Sequence, residues 1–190
     1  MNLPNKLTIL RIIMIPIFTA VFYITAIPYN YLISAVIFAL AASTDFLDGY
    51  IARKYNLVTN LGKFLDPIAD KVLVSTALII MLIPFAGVIL PWYAGIAVAI
   101  ILARELIVSG FRIVAASKGS VLAADMSGKI KTFVQDIAIL VLLVGASVDP
   151  GLYSITNIIG LSILGVATVL TIISGTECLV KNRAVLSDKE

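Results

Sequence analysis

The chain contains no histidine and a single cysteine, Cys178, and these two shortages remove whole classes of site. One cysteine cannot form an internal disulfide, and it offers no thiolate cluster for zinc or iron–sulfur binding. Neither a G-x-S-x-G nucleophile elbow nor a P-loop occurs, so the sequence does not predict a serine hydrolase or a nucleotide hydrolase. Charged residues are also scarce, at 13% of the 190 residues.

Apolar residues make up 61% of the chain, and the mean hydropathy is +1.08, far above that of soluble globular domains. Apolar stretches of about 17 to 25 residues recur, and each is long enough to cross a hydrocarbon core of about 30 Å. The sequence therefore predicts an all-α polytopic membrane protein forming one domain over residues 1–190. The six predicted transmembrane helices cover residues 7–27, 31–53, 66–83, 92–117, 129–147 and 155–178.

The basic residues predict how this bundle is oriented. The fourteen Lys and Arg residues lie near the two termini and near the second-to-third and fourth-to-fifth connections. By the positive-inside rule, both termini and these two connections face the cytoplasm, and six spans in the cell membrane satisfy that parity. Since topology accounts for the basic residues, the net charge of +3 is a weak guide to partners, and we expect no nucleic-acid partner.

Several charged side chains fall at similar depths in the predicted helices. With a helical rise of about 1.5 Å per residue, one group lies roughly 20 Å from the outer ends, namely Asp45, Asp70, Arg104 and Asp136. A second group lies one turn closer to the cytoplasm, namely Asp48, Asp66 and Lys131. Because each charge in lipid costs about 2.5 to 3.5 kcal/mol, we expect them to line a polar cavity that opens to the cytoplasm. For Asp136, an ion pair with Lys131 or Lys129 is the favoured interpretation.

The acidic residues of the second and third predicted helices form two pairs. Asp45 and Asp48 are three residues apart, Asp66 and Asp70 are four apart, and each pair therefore shares a helix face. Carboxylates without histidine favour a hard ion such as Mg²⁺ or Mn²⁺, with Ca²⁺ as a competitor. For Asp66 alone, the alternative is an N-cap before Pro67.

Small residues and one cation accompany the aspartates. Gly49 and Gly62 remove side chains where a bulky ligand could approach the backbone, and Ala52 keeps the same helix face open. Arg53 adds a positive charge beside the carboxylates. Bound metal, an arginine and open space are what a diphosphate needs, so the segment predicts a diphosphate site.

The full pattern D-x2-D-G-x2-A-R-x8-G-x3-D-x3-D resembles the signature of the CDP-alcohol phosphatidyltransferases. The resemblance implies a homodimer of six-span subunits, a cytoplasm-facing cavity and two divalent ions. It implies that Asp45, Asp48 and Asp66 ligate metal, with Asp70 completing the site and serving as the base. The resemblance also implies that the cytidine and the diphosphate of the nucleotide lie against four residues, namely Gly49, Ala52, Arg53 and Gly62.

A second basic group predicts the kind of acceptor. Arg104 and Arg112 lie eight residues apart on roughly one helix face, and Lys129 and Lys131 open the next helix. An acceptor with its own phosphate, such as glycerol 3-phosphate, needs such a pocket beside a metal-bound diphosphate. The two lysines have an alternative interpretation as positive-inside anchors.

The segments at residues 2–11, 104–112 and 119–135 resemble the branch of the family that makes phosphatidylglycerophosphate. This resemblance implies transfer of the phosphatidyl group of CDP-diacylglycerol to glycerol 3-phosphate, with release of CMP, in phospholipid biosynthesis. A cardiolipin synthase of the same fold is the nearest alternative, because its acceptor also carries a phosphate. A cation or proton transporter is a further alternative, disfavoured because the outer halves of the predicted helices are almost purely apolar.

Overall fold

A computed structural model describes residues 2–54, 59–84, 89–118, 126–148 and 150–183 of the chain. Over these ranges the secondary structure is helical and contains no strand, which confirms the all-α prediction. The six helices are α1 (Leu3–Tyr23), α2 (Asn30–Lys54), α3 (Asn60–Leu82), α4 (Ala94–Ser117), α5 (Met126–Gly145) and α6 (Pro150–Lys181).

The start of α3 differs most from the prediction. The helix begins six residues before residue 66, because the Thr59 side chain caps it and accepts a 3.0 Å hydrogen bond from the Gly62 backbone N–H. Asp66 is therefore not an N-cap, and that alternative is wrong. Pro67 lies inside the helix, where its missing N–H is tolerated although it removes one backbone hydrogen bond.

Three of the six helices contain segments long and apolar enough to cross a membrane, namely Asn5–Tyr23, Ala94–Ser117 and Leu152–Lys181. A shorter apolar stretch, Asn30–Thr44, occupies most of α2. Large apolar side chains also face outward; Ile96, Leu106 and Ile113, for example, are 65%, 75% and 71% exposed. An apolar exterior of this kind is suited to lipid, and together with the apolar helices it indicates a membrane protein.

The core of the bundle is apolar and closely packed. Phe18 lies between Phe22 and Phe38, with ring centroids 6.5 and 6.1 Å away, and these rings join α1 to α2. The interface of α5 with α6 depends on small residues, since a Cβ on Gly160 would lie only 2.7 Å from the Leu142 side chain. Small residues allow such close approach of helices in membranes.

Polar contacts between helices gather where α1, α3 and α5 begin and where α2, α4 and α6 end. Side-chain bonds join α1 to α2 and α3, α3 to α4, α4 to α5, and α4 to α6. At the opposite end, Asn157 of α6 donates a 2.9 Å hydrogen bond to the Ile89 carbonyl. The first of these ends therefore holds the charged side chains from which a site can be built.

Candidate functional site

The first helix positions the acidic turn of α3. The hydroxyl of Thr8, which is fully buried, donates a 2.5 Å hydrogen bond to Oδ1 of Asp66. Three residues earlier, Asn5 Oδ1 accepts a 2.8 Å bond from the hydroxyl of Thr59, the cap of α3. The N-terminal turns of α1 therefore hold both the start of α3 and one of the predicted metal-ligating carboxylates.

Gly62 lies where these helices meet. A Cβ at this position would lie 3.0 Å from Asn5 Oδ1, 3.2 Å from Thr59 Oγ1 and 3.7 Å from Asp66 Oδ2. The glycine is therefore needed for packing against the polar contacts of α1, a role that sequence reasoning did not find. A Cβ here would lie 3.7 Å from an Asp66 oxygen, so Gly62 lies beside one of the predicted metal-ligating carboxylates, and its role at a diphosphate stays a prediction.

The same face of α1 reaches the turn of α2 that precedes the other aspartates. Arg11 is fully buried, and its Nε donates 3.2 Å hydrogen bonds to the Ala41 carbonyl and to the Thr44 hydroxyl. Thr44 immediately precedes Asp45 in the chain. Polar residues at positions 5, 8 and 11 of an apolar helix share one face, and this three-residue spacing is the signal that could have revealed their role.

The first half of the carboxylate motif stays a prediction. Helix α2 continues through it, but the side chains at these positions lie outside the described residues, namely Asp45, Asp48, Gly49, Ala52 and Arg53. Among the side chains that are described, no group of three or more acidic, histidine or cysteine residues could hold a metal ion. The meeting of the four carboxylates therefore stays a prediction.

The described half of the motif is compatible with a divalent ion. Asp66 and Asp70 lie one turn apart on α3, and both are partly buried. The bond from Thr8 to Asp66 comes from a neutral hydroxyl, so it orients the carboxylate without cancelling its charge. Carboxylate oxygens oriented in this way fit a hard cation, and oriented ligands are typical of metal sites.

A small cavity lies beside Asp70, between α3, α4 and α5. Its polar lining includes an acid from α3, an acid from α4, and two lysines. The polar residues of the lining include Asp70, Lys71, Glu105, Lys131, Thr132 and Gln135. The cavity therefore places the predicted base next to cations that could hold an anionic ligand.

Glu105 joins two of the predicted acceptor-binding cations. Its Oε1 accepts a 2.6 Å hydrogen bond from Lys131 Nζ and a 3.0 Å bond from Arg104 Nη1. Lys131 is 2% exposed, so this contact provides the counter-charge that a buried ammonium requires. The ion pair of Asp136 with Lys131 or Lys129 stays a prediction, and Glu105 is a partner of Lys131 that sequence reasoning did not find. Glu105, Arg104 and Lys131 together carry a net charge of +1.

The last helix holds Arg104 in place. Nη2 of Arg104 donates a 3.0 Å hydrogen bond to the hydroxyl of Ser174, which is 2% exposed. At the next residue, a Cβ on Gly175 would lie 2.9 Å from Cγ of Arg104. The sequence did not predict that α6 contributes to the site, because a serine and a glycine in an apolar helix form no distinctive pattern.

The other predicted acceptor-binding cations have different surroundings. Arg112 and Lys129 are both exposed, and neither belongs to the described lining of the cavity. Lys71, to which the sequence assigned no acceptor-binding role, does line the cavity, and its Nζ donates to the Ser109 hydroxyl. The structure thus brings Arg104 and Lys131 together through Glu105, while the exposure of Lys129 favours the anchor interpretation for that residue.

Comparison with known proteins adds independent findings. The sequence model of the CDP-alcohol phosphatidyltransferase family matches residues 1–173. A Bacillus subtilis (strain 168) protein named CDP-diacylglycerol–glycerol-3-phosphate 3-phosphatidyltransferase is 48% identical, over 75% of this chain and 76% of its own. A Rickettsia bellii (strain RML369-C) protein of the same name is 47% identical, over 92% and 91%. One from Shigella flexneri is 36% identical, over 99% and 98%.

Proposed function

The chain belongs to the CDP-alcohol phosphatidyltransferase family, and we propose that it transfers the phosphatidyl group of CDP-diacylglycerol to glycerol 3-phosphate. The products are phosphatidylglycerophosphate and CMP, as in phospholipid biosynthesis. The similar proteins carry both substrates in their name. Within this chain, the supporting observation is the cavity that places Asp70 beside Lys131 and Glu105.

The charge balance of the cavity favours an acceptor with a phosphate. Glu105 neutralises only one of the two cations bonded to it, while the opposite charges of Lys71 and Asp70 in the lining offset each other, so the group keeps one positive charge. A phosphate can accept charge-assisted hydrogen bonds from an ammonium and a guanidinium at once. A neutral acceptor would leave this positive charge uncompensated in a partly buried site, which is costly.

The reaction assigns separate tasks to the side chains. Lys131 and Arg104 hold the acceptor's phosphate, and Asp70 accepts the proton from its reacting hydroxyl. The hydroxyl oxygen forms a bond to the phosphorus that carries diacylglycerol, while the bond from that phosphorus to the bridging oxygen breaks. The bridging oxygen keeps the electron pair and leaves as part of CMP.

A divalent-metal site completes the proposal. Asp45, Asp48, Asp66 and Asp70 would hold Mg²⁺ or Mn²⁺, two ions in all, and the bound metal would polarise the diphosphate and balance the charge on the leaving group. Thr8 keeps the Asp66 carboxylate oriented for this role. Gly49, Ala52, Arg53 and Gly62 would accommodate the cytidine and the diphosphate.

The arrangement in the membrane is part of the same proposal. We infer six spans in the cell membrane, with the termini and the cavity on the cytoplasmic side, and a homodimer as the functional form. The polar contacts between helices favour one aqueous-facing end, while Trp92, 85% exposed, lies towards the other end, where interfacial aromatic residues are expected.

The experiment is an acceptor panel with the purified full-length protein in detergent. CDP-diacylglycerol and a magnesium salt are supplied with glycerol 3-phosphate, phosphatidylglycerol, serine or inositol, and CMP and the lipid product are measured. We expect CMP release with glycerol 3-phosphate alone. Release with phosphatidylglycerol instead would identify a cardiolipin synthase, and no release with any acceptor would overturn the proposal.

A further inference from the structure

Gln135 of α5 carries a buried oxygen without a hydrogen-bond partner. The residue is 1% exposed, and its Oε1 accepts no hydrogen bond within the described part of the chain. Buried amide oxygens are nearly always paired, because leaving one unpaired costs free energy. Gln135 also lines the cavity that contains Asp70, so its side chain lies beside the proposed acceptor site.

Several other polar side chains of the lining have hydrogen-bond partners within the protein. Lys71 donates to Ser109, Lys131 donates to Glu105, and the Thr132 hydroxyl donates to the Gly128 carbonyl of its own helix at 3.1 Å. Gln135 lies one helical turn beyond Lys131 and on the same face of α5. The cavity thus offers a cation, a carboxylate and, one turn from the cation, an unused acceptor.

Glycerol 3-phosphate has three polar groups that match these three. Its phosphate suits Lys131, and its reacting hydroxyl suits Asp70. Its second hydroxyl, on C2, takes no part in the reaction and needs an acceptor for its proton. We propose that Oε1 of Gln135 accepts a hydrogen bond from this hydroxyl, which makes the cavity selective for a polyol phosphate. The inference rests on the proposed function, because it takes glycerol 3-phosphate as the acceptor.

Selectivity between acceptors follows from the free-energy cost of leaving the Gln135 oxygen without a hydrogen bond. A site built to bind a hydroxyl rejects an analogue that lacks it, because the buried polar group of the protein then stays unpaired. The suitable analogue is 3-hydroxypropyl phosphate, which keeps the phosphate and the reacting hydroxyl but has no hydroxyl on C2. The native protein should therefore use glycerol 3-phosphate with a kcat/KM about tenfold or more above that of the analogue.

The test compares the native protein with Gln135→Met, using both acceptors and measuring CMP release. The substitution keeps the approximate side-chain volume but removes the oxygen. We expect kcat/KM for glycerol 3-phosphate to fall about tenfold while that for the analogue is unchanged, so the preference disappears. Because no internal hydrogen bond is lost, the thermal unfolding temperature in detergent should not fall.

Ser34→Ala is the matched control. Ser34 is fully buried on α2, its hydroxyl is also without a partner, and it does not line the described cavity. This variant should keep the native preference between the two acceptors.

The outcomes separate the inference from the function on which it rests. An unchanged preference in Gln135→Met, or an equal loss with both acceptors together with a lower unfolding temperature, would overturn the role of Gln135 alone. If the native protein released no CMP with glycerol 3-phosphate, the proposed function would fail as well.

Discussion

Lys131 of α5 donates a 2.6 Å hydrogen bond to Glu105 of α4, from a position where the lysine is 2% exposed. The contact links two helices at the wall of the cavity. The same carboxylate oxygen also accepts a bond from Arg104, so one acid joins Arg104 to Lys131, which lines the cavity. The pair therefore contributes both to helix packing and to the electrostatics of the site.

Loss of the Glu105 carboxylate should destabilise the protein. In Glu105→Ala, the buried ammonium of Lys131 loses its partner, which costs about 3 kcal/mol of unfolding free energy. Denaturant unfolding in detergent measures the change. Glu177→Ala removes an exposed acid of α6 and should change the unfolding free energy by less than about 0.5 kcal/mol. Equal stability of the two variants would contradict the assigned role of Glu105.

Loss of the Thr8 hydroxyl should weaken the response to magnesium. Thr8→Val keeps the shape of the side chain but removes the donor that orients Asp66. Because outer contacts of metal ligands affect affinity about 10- to 100-fold, the Mg²⁺ concentration for half-maximal CMP release should rise by that factor. Thr8→Ser should restore much of the native response.

Thr19→Val provides the comparison on the same helix. The Thr19 hydroxyl donates to the Ile15 carbonyl of α1 itself, at 2.9 Å, so its removal should leave the magnesium response unchanged. A shift of similar size in both variants would show that Thr8 acts through helix packing and not through Asp66.

A methyl group at residue 175 should disturb acceptor binding. In Gly175→Ala, the new Cβ meets Cγ of Arg104 and displaces its side chain. Since small misplacements of binding groups cost up to about 100-fold, the KM for glycerol 3-phosphate should rise about 10- to 100-fold, with little change for CDP-diacylglycerol.

Two comparisons make this prediction specific. Gly165→Ala adds the same methyl group on α6 where nothing lies within 4 Å, and both KM values should stay native. In an Arg104→Ala background there is no Cγ to displace, so Gly175→Ala should have no further effect. A full effect in that background would mean that Gly175 acts through some other contact.

Replacing the proposed base should remove turnover more than binding. Asp70→Asn keeps the size of the side chain but cannot accept the proton of the acceptor hydroxyl, so kcat should fall about 10²- to 10⁴-fold. Nucleotide binding in the presence of magnesium should be partly retained, which equilibrium binding of CDP-diacylglycerol can measure. Turnover close to the native rate would exclude Asp70 as the base.

The order and number of helices could be predicted from the sequence, but some of their ends could not. Prolines bias a prediction towards helix starts, so residue 66, just before Pro67, was the expected beginning of α3. The actual cap is Thr59, which is recognisable only from its bond to Gly62 and its contact with Asn5. An internal proline is tolerated in α3, which packs against α1.

The sequence by itself determined the helical class and the apolar character of the helices, and it predicts a metal-binding role for the carboxylate motif, because helix length, hydropathy and i, i+4 spacing are local properties. Only the tertiary structure decided which side chains meet. Thr8 with Asp66, Lys131 with Glu105, and Arg104 with Ser174 lie 58, 26 and 70 residues apart. Periodicity indicates which face a polar residue occupies, whereas its partner depends on how whole helices pack, and packing is a property of the entire bundle.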